Sequence, residues 1–235
     1  MAWFGRGVRK VPPVDMAARR AEREALVATI ERRMAAERPL GLPALGPRVA
    51  EALTAVPREL FTPPEWAADA YRDQVLPLAA GQTLSQPSLV ALMTELLDIR
   101  VGDRVLEVGV GSGYQTAVLA RLGARVFGLE VIADLARAAE RRLRALGLTG
   151  VTIRVADGHD GWPEAAPFDA ILAACAAPSV PPALVDQLGP GGRLLLPVGP
   201  VDGPQQLCLV EKGRDGRVRE RPLLAVAFVP MVDKR

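Results

Sequence analysis

One short run constrains this chain more than any other: Val105-Leu106-Glu107-Val108 is apolar enough to be a buried strand, and it stops at Gly109-Val110-Gly111-Ser112-Gly113-Tyr114. Three closely spaced glycines after a strand form a loop whose backbone can approach a bound nucleoside, because no side chain stands in the way. Twenty-one positions beyond Gly109, a second apolar run, Val126-Phe127-Gly128-Leu129, ends at Glu130. A carboxylate there is placed to accept hydrogen bonds from both hydroxyls of a ribose. A plain tight turn would account for the glycines but not for Glu130.

The glycine spacing separates two cofactor classes. Dinucleotide sites read G-x-G-x-x-G, with the last glycine inside the helix and the pyrophosphate on the helix N-terminus. Here the spacing is G-x-G-x-G and Glu107 precedes it. That pattern suits S-adenosylmethionine, which carries no phosphate and needs close backbone contact with an acidic neighbour for its cationic methionine end.

From Arg104 onward, short apolar runs alternate with amphipathic segments, the pattern of a mostly parallel sheet with helices on both faces. Strands are expected at Arg104–Val108, Arg125–Leu129, Val151–Val155, Asp169–Ala174 and Arg193–Pro197, with a helix over Ile132–Leu146 that Gly147 stops. After Gly199, the runs Gln206–Glu211 and Val218–Val229 around the turn at 213–216 read as an antiparallel hairpin at the sheet edge. Upstream, residues 17–56 read as two helices joined by Pro39-Leu40-Gly41-Leu42-Pro43. Tyr71–Leu84 is largely irregular, and a helix follows Ser85-Gln86-Pro87 with Ser85 as its cap and Leu89, Leu92, Met93 and Leu96 on one face. Three segments result: a basic N-terminal tail at 1–24, a helical substrate-side segment at 25–98, and a cofactor-binding core with the C-terminal hairpin at 99–235.

At 235 residues the chain can bury a substantial core as one domain with an N-terminal extension. Its net charge of +2 is local: residues 1–40 carry nine basic and five acidic side chains, against 20 and 22 beyond. A nucleic-acid arm would explain that excess, but Ala25, Ile30 and Met34 among Arg and Glu read more simply as an amphipathic surface helix. The first residues hold no apolar core long enough for a signal peptide, and no stretch of about 18 unbroken apolar residues occurs. A cytoplasmic protein is expected, with Cys175 and Cys208 as buried thiols in strands and no metal site.

Other candidate groups sit at the carboxyl ends of the strands. Asp157, after the third strand, could accept from an adenine amino group, although an Asp-Gly pair is also a common turn. The sole histidine, His159, reads as a surface side chain with no carboxylate reserved for it. Cys175 in Ala173-Ala174-Cys175-Ala176-Ala177 has no base beside it and reads as a small buried residue. The same strand end lacks the Asn/Asp-Pro-Pro-aromatic clamp for exocyclic amines of bases, so nucleic acid is not expected as a substrate. Gly81-Gln82-Thr83-Leu84-Ser85-Gln86-Pro87 brings two hydroxyls to a helix start, where a substrate carboxylate could bind or where a simple cap would suffice.

Together these residues resemble the protein-L-isoaspartate O-methyltransferase family from about Val56 to Met231. The resemblance rests on Ala55-Val56-Pro57-Arg58-Glu59-Leu60-Phe61, the 81–87 segment, the glycine loop, Asp157-Gly158-His159-Asp160-Gly161-Trp162-Pro163, Ala166-Pro167-Phe168-Asp169 and Pro178-Ser179-Val180-Pro181-Pro182. Gly191-Gly192-Arg193-Leu194 and Phe228-Val229-Pro230-Met231 extend it. It implies a Rossmann-like fold of the class I S-adenosylmethionine-dependent methyltransferases, and transfer of a methyl group to the carboxylate of isoaspartyl residues in damaged proteins. By resemblance, Ser85 is the active-site residue, with Thr83, Leu84, Val229 and Pro230 beside the acceptor. The cofactor set would be Glu107, Gly109, Gly111, Ser112, Gly113, Glu130, Asp157 and Gly158. The implied partners are isoaspartyl-containing proteins and peptides, with no membrane or nucleic acid, and a monomer is expected.

The chain departs from the family pattern at Ala79-Ala80, where a glycine-containing pair is common, at Ala174 in place of threonine, and at Ala156 in place of glycine. Two other readings stay open at this point: a related enzyme that methylates aspartate in a dedicated peptide or a small acid, and a non-catalytic cofactor-binding module that holds RNA or protein through its basic N-terminus.

Overall fold

In the computed structural model, described for residues 17–200 and 202–232, the chain builds one seven-stranded sheet with helices packed against it. The elements run α1 (Arg20–Glu37), α2 (Pro47–Ala55), β1 (Leu76–Pro77), β2 (Thr83–Leu84), α3 (Pro87–Leu97), β3 (Arg104–Val108) and α4 (Tyr114–Arg121). They continue with β4 (Arg125–Glu130), α5 (Ala133–Ala145), β5 (Val151–Val155), β6 (Phe168–Ala173), α6 (Pro182–Asp186), β7 (Leu188–Val198), β8 (Gln205–Lys212) and β9 (Val218–Val226). The sheet order is β5-β4-β3-β6-β7-β8-β9. Strands β3 to β7 pair in parallel, and β7, β8 and β9 pair antiparallel.

The central strands are covered on both faces, which is why they read as nearly unbroken apolar runs. Val105, Leu106, Ile171, Leu172, Leu194 and Leu195 are all fully buried. The winding reverses between β3 and β6, the place where open α/β sheets leave a crevice beyond the carboxyl ends of the strands. Helix α5 shows how sequence sets the outer layer. Leu135, Ala136, Ala139 and Leu143 form one buried stripe, and Gly147, at φ 69°, donates to the Arg144 carbonyl at 3.0 Å to end the helix.

Helix α1 is amphipathic as expected, but its buried face is Arg23, Leu26, Val27, Ile30 and Met34, and Ala25 lies on the exposed side. The boundary drawn after residue 24 therefore falls inside a helix. Arg23 is buried with its guanidinium donating to the carbonyls of Thr54 at 3.0 Å and Ala18 at 2.8 Å and with Glu59 3.6 Å away. Residues 1–16 of the basic tail lie outside the described part of the chain. Strand β7 starts at Leu188, five residues earlier than its sequence suggested. The glycines of Gly189-Pro190-Gly191-Gly192 are absorbed by an irregularity in the pairing with β6 between Phe168 and Ala170. Both cysteines are free and buried. Among the described residues, no helix is long and apolar enough to cross a membrane.

Candidate active site

The carboxyl ends of β3, β4, β5 and β6 open into one cavity, to whose wall the 82–85 segment and Val229 to Val232 also contribute. Its wall includes Thr83, Leu84, Ser85, Glu107, Gly109, Gly111, Ser112, Glu130, Gly158, Val229 and Pro230. Residues far apart in the chain thus meet where the sheet order reverses.

The glycine loop turns as the spacing required, with Gly109, Gly111 and Gly113 at φ 84°, 56° and 90°. These are left-handed values that a side chain would oppose. Gly109 also sits tight against the wall: a Cβ there would stand 3.3 Å from the Cys175 sulfur. Gly158 is needed for space alone, since a Cβ would fall 2.2 Å from Val108 Cγ1. Gly113 departs from its expected place. It heads α4 facing α5, where a Cβ would meet that of Ala139 at 3.1 Å, and it does not line the cavity. Its smallness serves helix packing.

Glu130 ends β4 with its carboxylate gripped by two backbone amides, Gly111 N–H at 2.7 Å and Ile132 N–H at 2.9 Å. An ionised carboxylate offers about four acceptor positions, so two remain for ribose hydroxyls. Glu107 differs. It is fully buried, and neither carboxyl oxygen has a hydrogen-bond partner among the described residues. Burial outweighs the opposing Thr116 hydroxyl and, with Glu130 nearby, pushes its carboxyl up to about 8. A buried carboxyl without partners is costly unless something cationic or hydrogen-bonding meets it. The cationic methionine end of S-adenosylmethionine has that character, and the side-chain-free cradle at 109–111 suits its nucleoside. The donor set therefore fits this cofactor.

Asp157 is not on the cavity wall. Its Oδ1 accepts from the His159 backbone N–H at 2.9 Å and lies 2.8 Å from His159 Nδ1, a local turn. This corrects the reading of His159 as a ring with no carboxylate beside it: Asp157 is that carboxylate. Cys175 lines the wall, but burial pushes its thiol up to about 12, so it is not a nucleophile.

Ser85 lines the wall but is not the helix cap expected of it, standing one residue before the cap that forms. The cap is Gln86, with Pro87 in the first turn of α3, and its side chain makes no capping bond. The first-turn amide of Ser88 is instead satisfied from a distance by Asp73 Oδ1 at 2.8 Å. Ala80, at the family-variable pair, adopts φ 57°, a left-handed conformation that glycine takes more easily. Val229 and Pro230 reach the wall because their strand-like segment pairs with the chain after β6. Ala176 N–H donates to Val229 O at 2.8 Å and Met231 N–H to Ala176 O at 2.7 Å. The Gln205 amide holds Phe228 at both its N–H (2.7 Å) and its carbonyl (3.1 Å).

Three contributors were not singled out from sequence. Tyr114 lines the wall and is almost wholly buried; its position directly after Gly113 was a usable signal. Arg58 lies behind the wall, its Nη2 donating to Ser85 O at 2.9 Å. Its signal was the charged pair Arg58-Glu59 between the apolar residues of the Val56–Phe61 stretch. For Asp73, no local spacing pointed to α3.

A family model for protein-L-isoaspartate(D-aspartate) O-methyltransferases matches residues 40–235. The protein-L-isoaspartate O-methyltransferase of Methylorubrum extorquens (strain PA1) is 55% identical over 184 residues, covering 78% of this chain and 80% of that one. A solved protein-L-isoaspartate O-methyltransferase superposes with a TM-score of 0.77 at 29% identity, over 88% of this chain; the chain spans 65% of that structure's length. The Plasmodium falciparum beta-aspartate methyltransferase, solved with S-adenosyl-L-homocysteine, shares the fold with a TM-score of 0.75 at 24% identity, over 89% of this chain and 98% of that one.

Proposed function

This chain belongs to the protein-L-isoaspartate(D-aspartate) O-methyltransferase family, and from that premise we propose how its residues divide the work of methylating an isoaspartyl carboxylate. It is an S-adenosylmethionine-dependent protein carboxyl O-methyltransferase. When bound, the cofactor supplies a methyl group activated by attachment to a positively charged sulfur.

Glu130 holds the ribose, Glu107 faces the cationic methionine end, and Gly109, Gly111, Ser112 and Gly158 leave room for the nucleoside. Asp157 supports the adenine side through the turn it makes with His159, and Gly113 acts by letting α4 pack against α5. Ser85 donates its hydroxyl to one oxygen of the acceptor carboxylate and so leaves the other directed into the cavity. Thr83, Leu84, Val229 and Pro230 flank the acceptor peptide. Because a carboxylate with an ordinary value near 4 is already ionised at neutral pH, no protein base is needed. Orientation and exclusion of water then supply most of the acceleration, an effect that reaches roughly 7 to 11 kcal/mol in favourable cases.

The observation that carries this reading is the meeting in one cavity of the amide-gripped Glu130, the fully buried Glu107 and the Thr83–Ser85 segment with its two hydroxyls. The substrate class is isoaspartyl-containing proteins and peptides, and the enzyme works as a cytoplasmic monomer without membrane or nucleic-acid partners. Ser85→Ala tests the division of labour: methyl transfer to an isoaspartyl peptide falls while S-adenosylhomocysteine affinity stays within about twofold. Unchanged turnover removes Ser85 from the mechanism.

A further inference from the structure

The groups that fix the backbone around Ser85 lie behind the cavity wall, and both are charged. Arg58 is completely buried. Its Nη2 donates to the Ser85 carbonyl at 2.9 Å, and its guanidinium carbon stands 4.8 Å from the centre of the Tyr114 ring, another wall residue. Nε and Nη1 have no hydrogen-bond partner among the described residues. Burying a guanidinium is expensive, a cost that the nearby Tyr114 and Asp73 offset only in part.

Three residues further along, Asp73 takes the opposite end of the turn. Its Oδ1 accepts from Ser88 N–H at 2.8 Å, and its Oδ2 accepts from Gln86 Nε2 at 3.1 Å and lies 3.3 Å from Arg33 Nη1 of α1. Between these two anchors the chain has little freedom. Arg58 holds the carbonyl of Ser85 and Asp73 holds the amide of Ser88, and Ser85 itself is part of the cavity wall. Neither Arg58 nor Asp73 lines the cavity itself.

We propose that Arg58 and Asp73 are positioning residues for methyl transfer, clamping the Ser85–Ser88 turn so that the Ser85 hydroxyl is held at the acceptor carboxylate. The proposal rests on Ser85 as the aligning group. Its distinctive consequence is coupling: loosening either anchor matters only while the Ser85 hydroxyl is present to be misplaced.

The test is a double-mutant cycle. Arg58→Lys and Asp73→Ala are each made alone and together with Ser85→Ala, and kcat and KM for an isoaspartyl peptide are measured beside S-adenosylhomocysteine affinity and thermal melting. With Ser85 present, each change lowers kcat/KM roughly 10- to 100-fold, the scale of a misplacement of about 1 Å, while S-adenosylhomocysteine affinity is retained. With Ser85→Ala already in place, each costs less than about twofold further. Equal losses in both backgrounds, or no loss in either, overturn the clamp while leaving the role of Ser85 intact. Unchanged turnover in Ser85→Ala alone overturns both. Should Arg58→Lys fail to fold, Asp73→Ala, at a partly solvated carboxylate, decides the matter by the same comparison.

Discussion

The backbone N–H of Gly111 donates to Glu130 Oε2 at 2.7 Å, so the middle glycine of the loop after β3 fixes the carboxylate at the end of β4. The second oxygen is fixed in turn by Ile132 N–H at 2.9 Å. Two neighbouring strands thereby lock each other's contribution to the cofactor site before any ligand arrives, and the remaining acceptor positions of the carboxylate are aimed rather than searching. Such preorganisation spares the ordering cost that binding would otherwise carry.

Glu130→Ala removes both the aimed acceptors and the grip on the loop. S-adenosylhomocysteine affinity, measured by calorimetry, falls roughly 10- to 100-fold, the scale of losing a charge-assisted hydrogen bond worth about 1.5–3 kcal/mol. The effect on KM for the peptide is small.

Glu107 gives a pH signature. Its carboxyl is raised from an ordinary value of 4.5 to about 8 by burial, with Glu130 adding repulsion. Its contribution to folding is therefore whole below about pH 4.5 and is lost as pH rises through about 8. Glu107→Gln keeps the shape without the titration. The ligand-free variant gains thermal stability over its parent more at pH 9 than at pH 5, as melting curves at the two pH values will register. Parallel pH dependence of the two proteins contradicts the assignment.

Gly158→Ala places a methyl group 2.2 Å from Val108 Cγ1. Stability in urea falls by about 1–3 kcal/mol, the range for overpacking. Introduced together with Val108→Ala, the same substitution costs clearly less, because the atom it strikes is gone.

His159→Ala leaves kcat for methyl transfer within about twofold, since an acceptor with an ordinary value near 4 needs no base at neutral pH. A loss of a hundredfold or more would assign His159 a proton-transfer role.

Much of this architecture was legible in the chain. Strands β3 and β5 fall where their apolar runs predict, and α5 ends at Gly147 because a glycine there accepts the left-handed turn. Residues whose placement is set by their own backbone, such as Gly109, Gly111 and Glu130 at strand ends, fall on the cavity wall where spacing put them. Those set by distant partners could not. Ser85 reads as a cap because it precedes a helix, yet the Ser88 amide is satisfied by Asp73, fifteen residues upstream. Gly113 sits in a cofactor motif but serves the α4–α5 contact, which depends on where Ala139 comes to lie. Arg58 and Asp73 reach the site through folding of the irregular 57–75 stretch, which has no periodicity to expose them. The early start of β7 was hidden because glycines that usually break strands are here taken up by a pairing irregularity.

The central claim is that this cavity delivers a methyl group to a carboxylate displaced by one extra backbone methylene. Methyl transfer from labelled S-adenosylmethionine to two peptides identical except for an isoaspartyl or an aspartyl residue tests it most directly. The account predicts base-labile methyl ester on the isoaspartyl peptide and none above background on its aspartyl twin. Equal incorporation into both, or none into either, contradicts it.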